Sequence, residues 1–386
     1  YMFEEKQINH SQFSLSEPIL LSNKNAHDPD VAISDNGELW ATWSQSGREG
    51  DQIFAKNLSS GGVFEVSRLE EVNFQPAIAA LKDGSIVISW TSFRDNKWQL
   101  LCRKIFEDKV YDDQVITKKK GGLFRPRMVV GPNDTIWLVA ENVEGSLTEI
   151  CIYNLQYGVW KDQGHISHGE AYSVYRPNIT MGPSEGVWIA YDAYEKNNYD
   201  VYIQRLDDNS GPIRVTNSDF QNLQNSICAD QEGNLWVAWS SNQNKAYKDQ
   251  WWLTKWIYIR RYDGNQFHDP CSVSPEVDIY GTGPFQGWEF PEVIVDNAGR
   301  VWIFGQSSHT QYAQFYSGKT WSPLFTIAPK YWGSWKPRFR ATKYGRNIYI
   351  ASFGLKGAKV QQVTTKPAKN LPRVIKPYPE FSPENK

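Results

Sequence analysis

The sequence predicts an all-β protein, a seven-bladed β-propeller built from four-stranded blades. Three observations support this prediction: one hairpin motif occurs seven times, weaker strand signals lie between consecutive copies, and helical apolar periodicity is almost absent. Each copy is an apolar run, a tight turn of Asp, Asn or Gly, and a second apolar run. The seven copies begin at Pro29, Pro76, Pro126, Pro177, Asn225, Pro291 and Pro337.

The second apolar run of each hairpin begins at an aromatic residue or a valine, which favours a strand that packs on a neighbour. These residues are Trp40, Val87, Trp137, Trp188, Trp236, Trp302 and Tyr349. Segments such as DQIFAKN and FEVSR supply two further strand signals between successive hairpins. Four strands per repeat predict blades that bury their faces against one another around a central channel.

The chain ends have a predicted role in closing this ring. The segment PILLS, residues 18–22, precedes the first hairpin and matches the fourth-strand segments that precede the others. The N-terminal segment therefore completes the last blade, which removes an open sheet edge. We divide the chain into an N-terminal arm (residues 1–16), the propeller (17–365) and an extended tail rich in Pro and Lys (366–386).

Composition narrows the function classes. Lys and Arg total 41 against 43 Asp and Glu, so no basic field predicts a nucleic-acid partner. No apolar run approaches the roughly 18 residues of a membrane-spanning helix, so no membrane insertion is expected. The chain begins at Tyr1 without a leader, which favours export to the periplasm or the extracellular space. A monomer is expected.

Metal and cofactor signals are weak. The four cysteines form no CxxC pair, so we interpret them as small buried hydrophobic residues, with a disulfide left open. His27, His168 and His309 could hold a metal, but they belong to different blades and their spacing does not indicate one. No metal ligands are assigned. The cofactor is unknown, and a structural calcium ion is left open without a motif for it.

Chain direction sorts the connections onto two rims of the propeller. If the first strand of each blade is innermost, the hairpin turns and the third-to-fourth turns lie on one rim, which we call the turn rim. Its segments, such as SDNGE and LKDGS, are short and suited to backbone turns. The segments entering the inner strands and the loops leaving the second strands lie on the other rim, which we call the loop rim.

The loop rim carries the candidate binding residues. Cations stand immediately before three inner-strand prolines, and the longest connections are rich in aromatic residues. Aromatic faces suit sugar rings, and Arg or Lys suits carboxylate or sulfate groups. The predicted substrate-binding residues are Arg94, Asp192, Trp251, Trp288, His309, Trp335 and Lys336.

An alternative interpretation of the same residues is structural. Aromatic residues beside the proline at the entry of an inner strand often pack between blades. Four residues have this position: Phe74, Phe124, Tyr175 and Phe290. Arg125 and Arg176 would then pair with rim carboxylates such as Glu141 or Asp192 instead of lining the channel mouth.

The hairpins of the form P-x-[VI]-x(5-6)-G-x-[LIV]-W and the His27-Asp28-Pro29 segment resemble propeller polysaccharide lyases and rhamnose-releasing enzymes built from BNR-type repeats. The likeness spans residues 18–365. In such lyases a His and a Tyr exchange protons while an Arg neutralises the uronate carboxylate. By position, the resemblance implies catalytic roles for His27, His168, Tyr175, Arg125 and Arg176. The full S-x-D-x-G-x-x-W box of sialidases is absent.

These observations favour a secreted carbohydrate-active protein that binds an oligo- or polysaccharide and cleaves an acidic or rhamnose-containing glycan at the channel mouth. The reaction is left open between a lyase and a glycoside hydrolase. A propeller that binds glycans without cleaving them would use the same aromatic and cationic residues. A protein-interaction scaffold is a third alternative, and it predicts a broad apolar patch on the rim.

Overall fold

The structure, a computed structural model, is an all-β propeller of seven antiparallel sheets, as the sequence predicts. It describes residues 13–22, 25–48, 50–116, 120–169, 172–208, 210–242, 255–268, 271–272, 288–307, 310–317, 322, 325–327, 339–354 and 357–366. Within these residues no helix is both long and apolar enough to cross a bilayer.

The first strand of every blade is innermost, and these strands contact one another around the central channel. The inner strands are Ala26–Ile33, Val72–Ala80, Gly122–Val130, Ser173–Met181, Asn222–Ala229, Glu289–Val295 and Arg340–Tyr344. The second strands are Leu39–Ser46, Ile86–Arg94, Ile136–Glu144, Val187–Glu195, Leu235–Ser241, Val301–Ser307 and Asn347–Gly354. This order places the loop rim and the turn rim at opposite ends of the channel.

The outer half of each blade consists of its third and fourth strands. The third strands are Asp51–Asn57, Lys97–Phe106, Leu147–Gln156, Asn198–Arg205, Trp256–Tyr262, Thr310–Tyr316 and Gly357–Thr365. The outermost strands are Val63–Glu65, Lys109–Val110 with Gln114–Val115, Val159–Ile166, Ile213–Arg214, Cys271–Ser272, Phe325–Thr326, and Phe13–Leu15 with Ile19–Leu20. Two short 3-10 turns, Pro132–Asp134 and Pro183–Glu185, connect hairpin strands on the turn rim.

The hydrophobic core lies between blades. Successive side chains of a strand point to opposite faces of its sheet. The second strand of each blade therefore packs on both neighbouring blades. Trp40 of the first blade and Trp90 of the second, for example, are buried in one cluster with Ile53 and Ile88. Burying one such large side chain contributes about 1.5–3 kcal/mol. Cys102, Cys151 and Cys228 are buried, free thiols in these interfaces.

The N-terminal segment closes the ring, as predicted. Phe13–Leu15 and Ile19–Leu20 both pair with Gly357–Thr365, the third strand of the seventh blade. Phe13 is fully buried and stacks on Phe325 of the sixth blade, with ring centroids 4.5 Å apart. The first residues of the described chain therefore lock the last blade to its neighbour.

Candidate functional site at the loop rim

A repeated β-bulge shapes the lip of the channel on the loop rim. In six blades the register shifts where the inner strand begins, and the residue before the inner-strand Pro or Asn has a positive φ between 48° and 61°. These residues are Asp28, Gln75, Arg125, Arg176, Gln224 and Phe290. None is glycine, so each position costs about 1–3 kcal/mol of backbone strain. Strain that recurs at one place marks that place as a candidate for function.

Hydrogen bonds between blades hold the bulges. The backbone N–H of Gln75 donates to Ser44 Oγ at 3.1 Å, and the N–H of Phe290 donates to Ser240 Oγ at 3.1 Å. In both pairs the acceptor lies on the second strand of the preceding blade. The blade before it therefore positions the backbone of Gln75 and, in the same way, that of Phe290.

At the third and fourth blades the acceptors are carboxylates instead of hydroxyls. Glu141 accepts from the backbone N–H of Arg176 at 2.7 Å, and Asp192 accepts from the backbone N–H of Gln224 at 2.8 Å. Each carboxylate also binds the guanidinium of its own blade: Arg125 Nη1 lies 2.9 Å from Glu141 Oε1, and Arg176 Nη1 lies 3.1 Å from Asp192 Oδ2. The pairing that we considered as an alternative for both arginines is therefore present.

The pairing does not withdraw the two guanidiniums from the surface. The side chains of Arg125 and Arg176 are 37% and 36% exposed, whereas those of Glu141 and Asp192 are 5% and 0% exposed. Burial lowers the pKa of Arg176, but its attraction to Asp192 outweighs burial and raises that pKa overall. The lip therefore presents two permanent cations held on buried carboxylates, with guanidinium donors left for a ligand.

An aromatic cluster lies beside Arg125. Phe74 and Phe124, the residues before two of the bulge positions, have ring centroids 6.3 Å apart and stack. The Trp98 ring lies 5.1 Å from Phe74 and 5.7 Å from Phe124, and Phe93 lies 4.8 Å from Trp98. Phe93 is exposed, and the other three rings are half-buried. We call Phe74, Phe93, Trp98 and Phe124 the aromatic platform. Phe74 and Phe124 were predicted from their places before inner strands, whereas Phe93 and Trp98 were not predicted. Phe93 lies at the end of the strand Ile86–Arg94, and Trp98 lies at the start of the strand Lys97–Phe106.

Three tyrosines lie beside Arg176. Tyr175 pairs with Asp192 across the hairpin, and its ring is 6.2 Å from that of Tyr199. Tyr194 lies 4.7 Å from Tyr199. Burial, followed by the neighbouring Tyr175, raises the pKa of Tyr199. Tyr194 and Tyr199 were not predicted as site residues, although the segment YDAYEKNNYD places them around one loop of this rim.

His168 does not join Tyr175. Its Nε2 lies 2.9 Å from the hydroxyl of Tyr191, and its Nδ1 contacts the carboxylate of Glu195. Tyr191 and Asp192 are successive strand residues, so Tyr191 and Tyr175 lie on opposite faces of the fourth blade. The His168 side chain is 10% exposed, and it packs in the interface with the third blade.

His27 lies on the first blade between two carboxylates. Its Nε2 is 3.0 Å from Asp51 and its Nδ1 is 3.4 Å from Asp28. Burial lowers the pKa of His27, but hydrogen bonds to Asp28 and Asp51 outweigh it and raise the pKa to about 9. His27 is therefore an imidazolium at neutral pH, suited to donating a proton rather than accepting one.

The structure describes two more of the predicted substrate-binding residues, Arg94 and Trp288. Arg94 is committed to an ion-pair cluster: its Nε lies 2.6 Å from Glu71, and it also contacts Asp113. Trp288 is 1% exposed and packs in the core between the fifth and sixth blades, so a rim ligand cannot stack on it there. Four predicted residues lie outside the described residues: Trp251, His309, Trp335 and Lys336.

No metal centre emerges from the part of the chain that the structure describes, where no three His, Cys, Asp or Glu side chains group together as metal ligands. His27 and His168 are bound to different partners in different blades.

Comparison with known proteins supports the fold. No protein-family model matches the chain, and no curated protein sequence matches it. Among solved structures, the polysaccharide lyase Uly1 matches with a TM-score of 0.55 and 10% identity, over 95% of this chain and 93% of the other. An ulvan lyase of family PL25 bound to -[GlcA(1-4)Rha3S]- matches with a TM-score of 0.56 and 10% identity, over 91% and 98%.

A third structure, the GH93 alpha-L-arabinofuranosidase of Fusarium graminearum in complex with arabinobiose, matches with a TM-score of 0.54 and 14% identity, over 76% of this chain and 93% of the other. At these identities the likeness establishes a shared propeller fold. The three structures named here are two polysaccharide lyases and one glycoside hydrolase. The BNR type of repeat stays a prediction, because no family model matches.

Proposed function

We propose that this chain is a polysaccharide lyase that binds an anionic glycan across the loop rim, between the second and fourth blades. One observation carries the proposal: two half-exposed guanidiniums, Arg125 and Arg176, are fixed on the lip directly after aromatic residues, Phe124 and Tyr175. An apolar surface beside fixed cations is what a polymer of sugar rings with acidic substituents requires.

The arginines favour a carboxylate or sulfate ester as the anionic group of the substrate. A guanidinium has five N–H donors, and the contacts to Glu141 and Asp192 engage only Nη1 of each arginine. The other donors can bind a planar carboxylate in a paired arrangement, which a lysine could not reproduce. The aromatic platform would stack against a neighbouring sugar ring.

The proposed reaction is an elimination next to a uronate carboxylate. A base removes the proton from C5, the electrons of that C–H bond form a double bond between C4 and C5, and the bond from C4 to the glycosidic oxygen breaks. The departing oxygen takes up a proton. Arg176 would stabilise the negative charge that develops on the carboxylate during this step.

Tyr175 is the residue that we assign to proton transfer, because it adjoins Arg176 on the same lip. If the Tyr175 side chain is deprotonated when the substrate binds, one oxygen atom can carry out both transfers. It takes the C5 proton and then returns that proton to the departing oxygen. His168 lies on the other face of the blade, and His27 is already protonated at neutral pH. Both histidines are therefore poorer candidates for the base.

Hydrolysis is the less favoured reaction. Glycoside hydrolases normally require one carboxyl group as an acid and a second as a base or nucleophile. The lip carboxylates Glu141 and Asp192 are buried and bound to arginines, which leaves neither free to reach a glycosidic bond. Export, which the sequence predicts, is part of the proposal because polymeric glycans are substrates found outside the cytoplasm.

Mass spectrometry of products from uronate-containing and rhamnose-containing polysaccharides tests the proposal. A lyase gives fragments that are lighter by one water than hydrolytic fragments. Their new end carries a C4–C5 double bond conjugated with the carboxylate, which absorbs in the ultraviolet. We expect Tyr175→Phe to abolish turnover while glycan binding persists, and Tyr157→Phe on the opposite rim to have no effect. Hydrated fragments would establish a hydrolase instead, and intact glycans with retained binding would establish a binding protein.

A further inference from the structure

One of the seven hairpin copies departs from the repeated motif at its first residue. Proline takes this place in the other six copies, but Asn225 takes it in the fifth blade. Asn225 is 4% exposed and directly follows Gln224, one of the strained lip positions. A departure from a repeated local rule marks a position on which a further requirement acts.

The side-chain amide of Asn225 contacts the fourth blade at two points. Its Nδ2 donates to Asp192 Oδ1 at 2.7 Å and to the backbone carbonyl of Arg176 at 3.0 Å. On the other side of the amide, Asn178 Nδ2 donates to Asn225 Oδ1 at 3.1 Å. All the hydrogen-bonding groups of this amide are therefore engaged, and its orientation is fixed.

Arg176 is held at three points by buried side chains of three successive blades. Glu141 of the third blade accepts from its backbone N–H at 2.7 Å, and Asp192 of the fourth accepts from its Nη1 at 3.1 Å. Asn225 of the fifth blade binds its carbonyl and also the carboxylate that holds its guanidinium. A guanidinium that stabilises charge at one fixed place requires this kind of preorganisation.

Arg125 provides a comparison within the same molecule. It occupies the equivalent lip position one blade earlier, and for it the residue equivalent to Asn225 is Pro177. Proline has no side-chain donor, so the contact that Asn225 makes with the carbonyl of Arg176 cannot form there. The two arginines are almost equally exposed, at 37% and 36%, but only Arg176 has this contact.

The amide of Asn225 also acts on the charge of Asp192. Burial raises the pKa of Asp192, and Arg176, Asn225 and the backbone N–H of Gln224 counteract this effect. Removal of one donor raises the pKa of the carboxyl further and favours its uncharged form. Without the amide, Arg176 would therefore lose a contact at its carbonyl and part of the attraction at its guanidinium.

We infer that Asn225 is a positioning residue, which holds Arg176 at the place where the guanidinium meets an anionic substrate. The consequence for turnover rests on the proposed lyase function. The positioning itself does not depend on the reaction, so it is tested separately.

Labelling with phenylglyoxal, mapped by mass spectrometry, tests the positioning without requiring any activity. Asn225→Pro restores the residue of the other copies, so the backbone of the bulge can accommodate it. The labelling rate of Arg176 should rise about 3- to 10-fold, the equivalent of one hydrogen bond, while that of Arg125 in the same molecules stays unchanged. If Asn225→Pro does not fold, Asn225→Ala, which removes only the amide, carries the same expectation. An Arg176 rate that is unchanged or lower, or an equal rise for both arginines, would overturn the inference.

Steady-state kinetics on a uronate-containing polysaccharide tests the consequence for turnover. Asn225→Pro should lower kcat about 10-fold and leave KM within a factor of about 2, because Arg176 acts on charge that develops in the transition state. Asn222→Ala is the control: this buried side chain of the same strand donates to Ser218 and Phe220, and its loss should leave kcat unchanged.

A double variant separates positioning from a general effect on the fold. In an Arg176→Met background, Asn225→Pro should lower kcat no further, because its effect passes through Arg176. A further fall in this background would refute the positioning role. If the wild type cleaves no polysaccharide, the lyase proposal fails, and the labelling rates still decide whether Asn225 positions Arg176.

Discussion

Glu141 of the third blade and Arg176 of the fourth are joined through the backbone: the N–H of Arg176 donates to Glu141 Oε1 at 2.7 Å. The same carboxylate holds the guanidinium of Arg125 at 2.9 Å. One buried side chain therefore fixes a strained backbone position in the next blade and a cation in its own. The geometry of the lip and its charge are coupled through this residue.

Glu141→Gln separates these two roles. The side-chain carbonyl of Gln can still accept a hydrogen bond from the N–H of Arg176, but the ion pair with Arg125 is lost. We expect the free energy of unfolding in urea to fall by about 1–3 kcal/mol, the range for a buried charged hydrogen bond. Glu107→Gln, at an exposed turn of the second blade, should change it by less than about 0.5 kcal/mol. Equal effects of the two substitutions would contradict a structural role for Glu141.

Arg125 is expected to select for charge in the substrate. Arg125→Met should weaken binding of a uronate-containing polysaccharide about 10- to 100-fold, the equivalent of one charge-assisted hydrogen-bond pair. Arg125→Lys should recover only part of this loss, because an ammonium cannot form the paired contact. The carboxyl-reduced polysaccharide should bind weakly, and with the same affinity to the wild type, Arg125→Met and Arg125→Lys, as measured by calorimetry. A loss that is equal for the reduced and the native polymer would refute this role.

Trp98 is expected to contribute to binding rather than to the chemical step. Its ring sits at the centre of the aromatic platform, within 5.7 Å of Phe74, Phe93 and Phe124. Trp98→Ala should raise KM about 3- to 10-fold, corresponding to an aromatic contact worth roughly 0.5–1.5 kcal/mol, and leave kcat within a factor of about 2. Tyr157→Ala removes a fully exposed ring on the opposite rim and should leave both unchanged. A fall in kcat alone would place Trp98 in the chemical step.

The fold was predictable because each repeat encodes its own hairpin locally. The inner-strand Pro126, the turn after it and Trp137 recur with matching residues in the other copies, so the ring and its closure follow from the pattern. The rim assignment followed from chain direction alone, and it correctly placed Arg125 and Arg176 on one lip.

The contacts between blades were not predictable in the same way. Glu141 and Arg176 are 35 residues apart, and nothing in either segment indicates which N–H the carboxylate accepts. His168 and Tyr175 are close in sequence, but a bulge lies next to Tyr175 and strand alternation separates their faces. Trp288 is aromatic and lies in a long connection, yet only the packing reveals that it belongs to the core. Register and burial decide these cases, and both are properties of the assembled ring.

The ion pairs of His27 predict a pH dependence of stability. Asp28 and Asp51 raise the pKa of His27 to about 9 from its ordinary value of 6.5, so the folded state holds a proton that the unfolded state releases in this interval. The resulting stabilisation is fully present below pH 6.5 and is lost as the pH rises through 9. We expect the unfolding free energy of the wild type to exceed that of His27→Gln at pH 6, and this difference to shrink by pH 9.5.

His165→Gln is the control, because it removes a half-exposed histidine 3.7 Å from Glu149. Its unfolding free energy should differ little from that of the wild type at pH 6 and at pH 9.5. Urea titrations at pH 6, 8 and 9.5 measure these differences, and a gap between wild type and His27→Gln that does not change with pH would mean that His27 is not held as a cation.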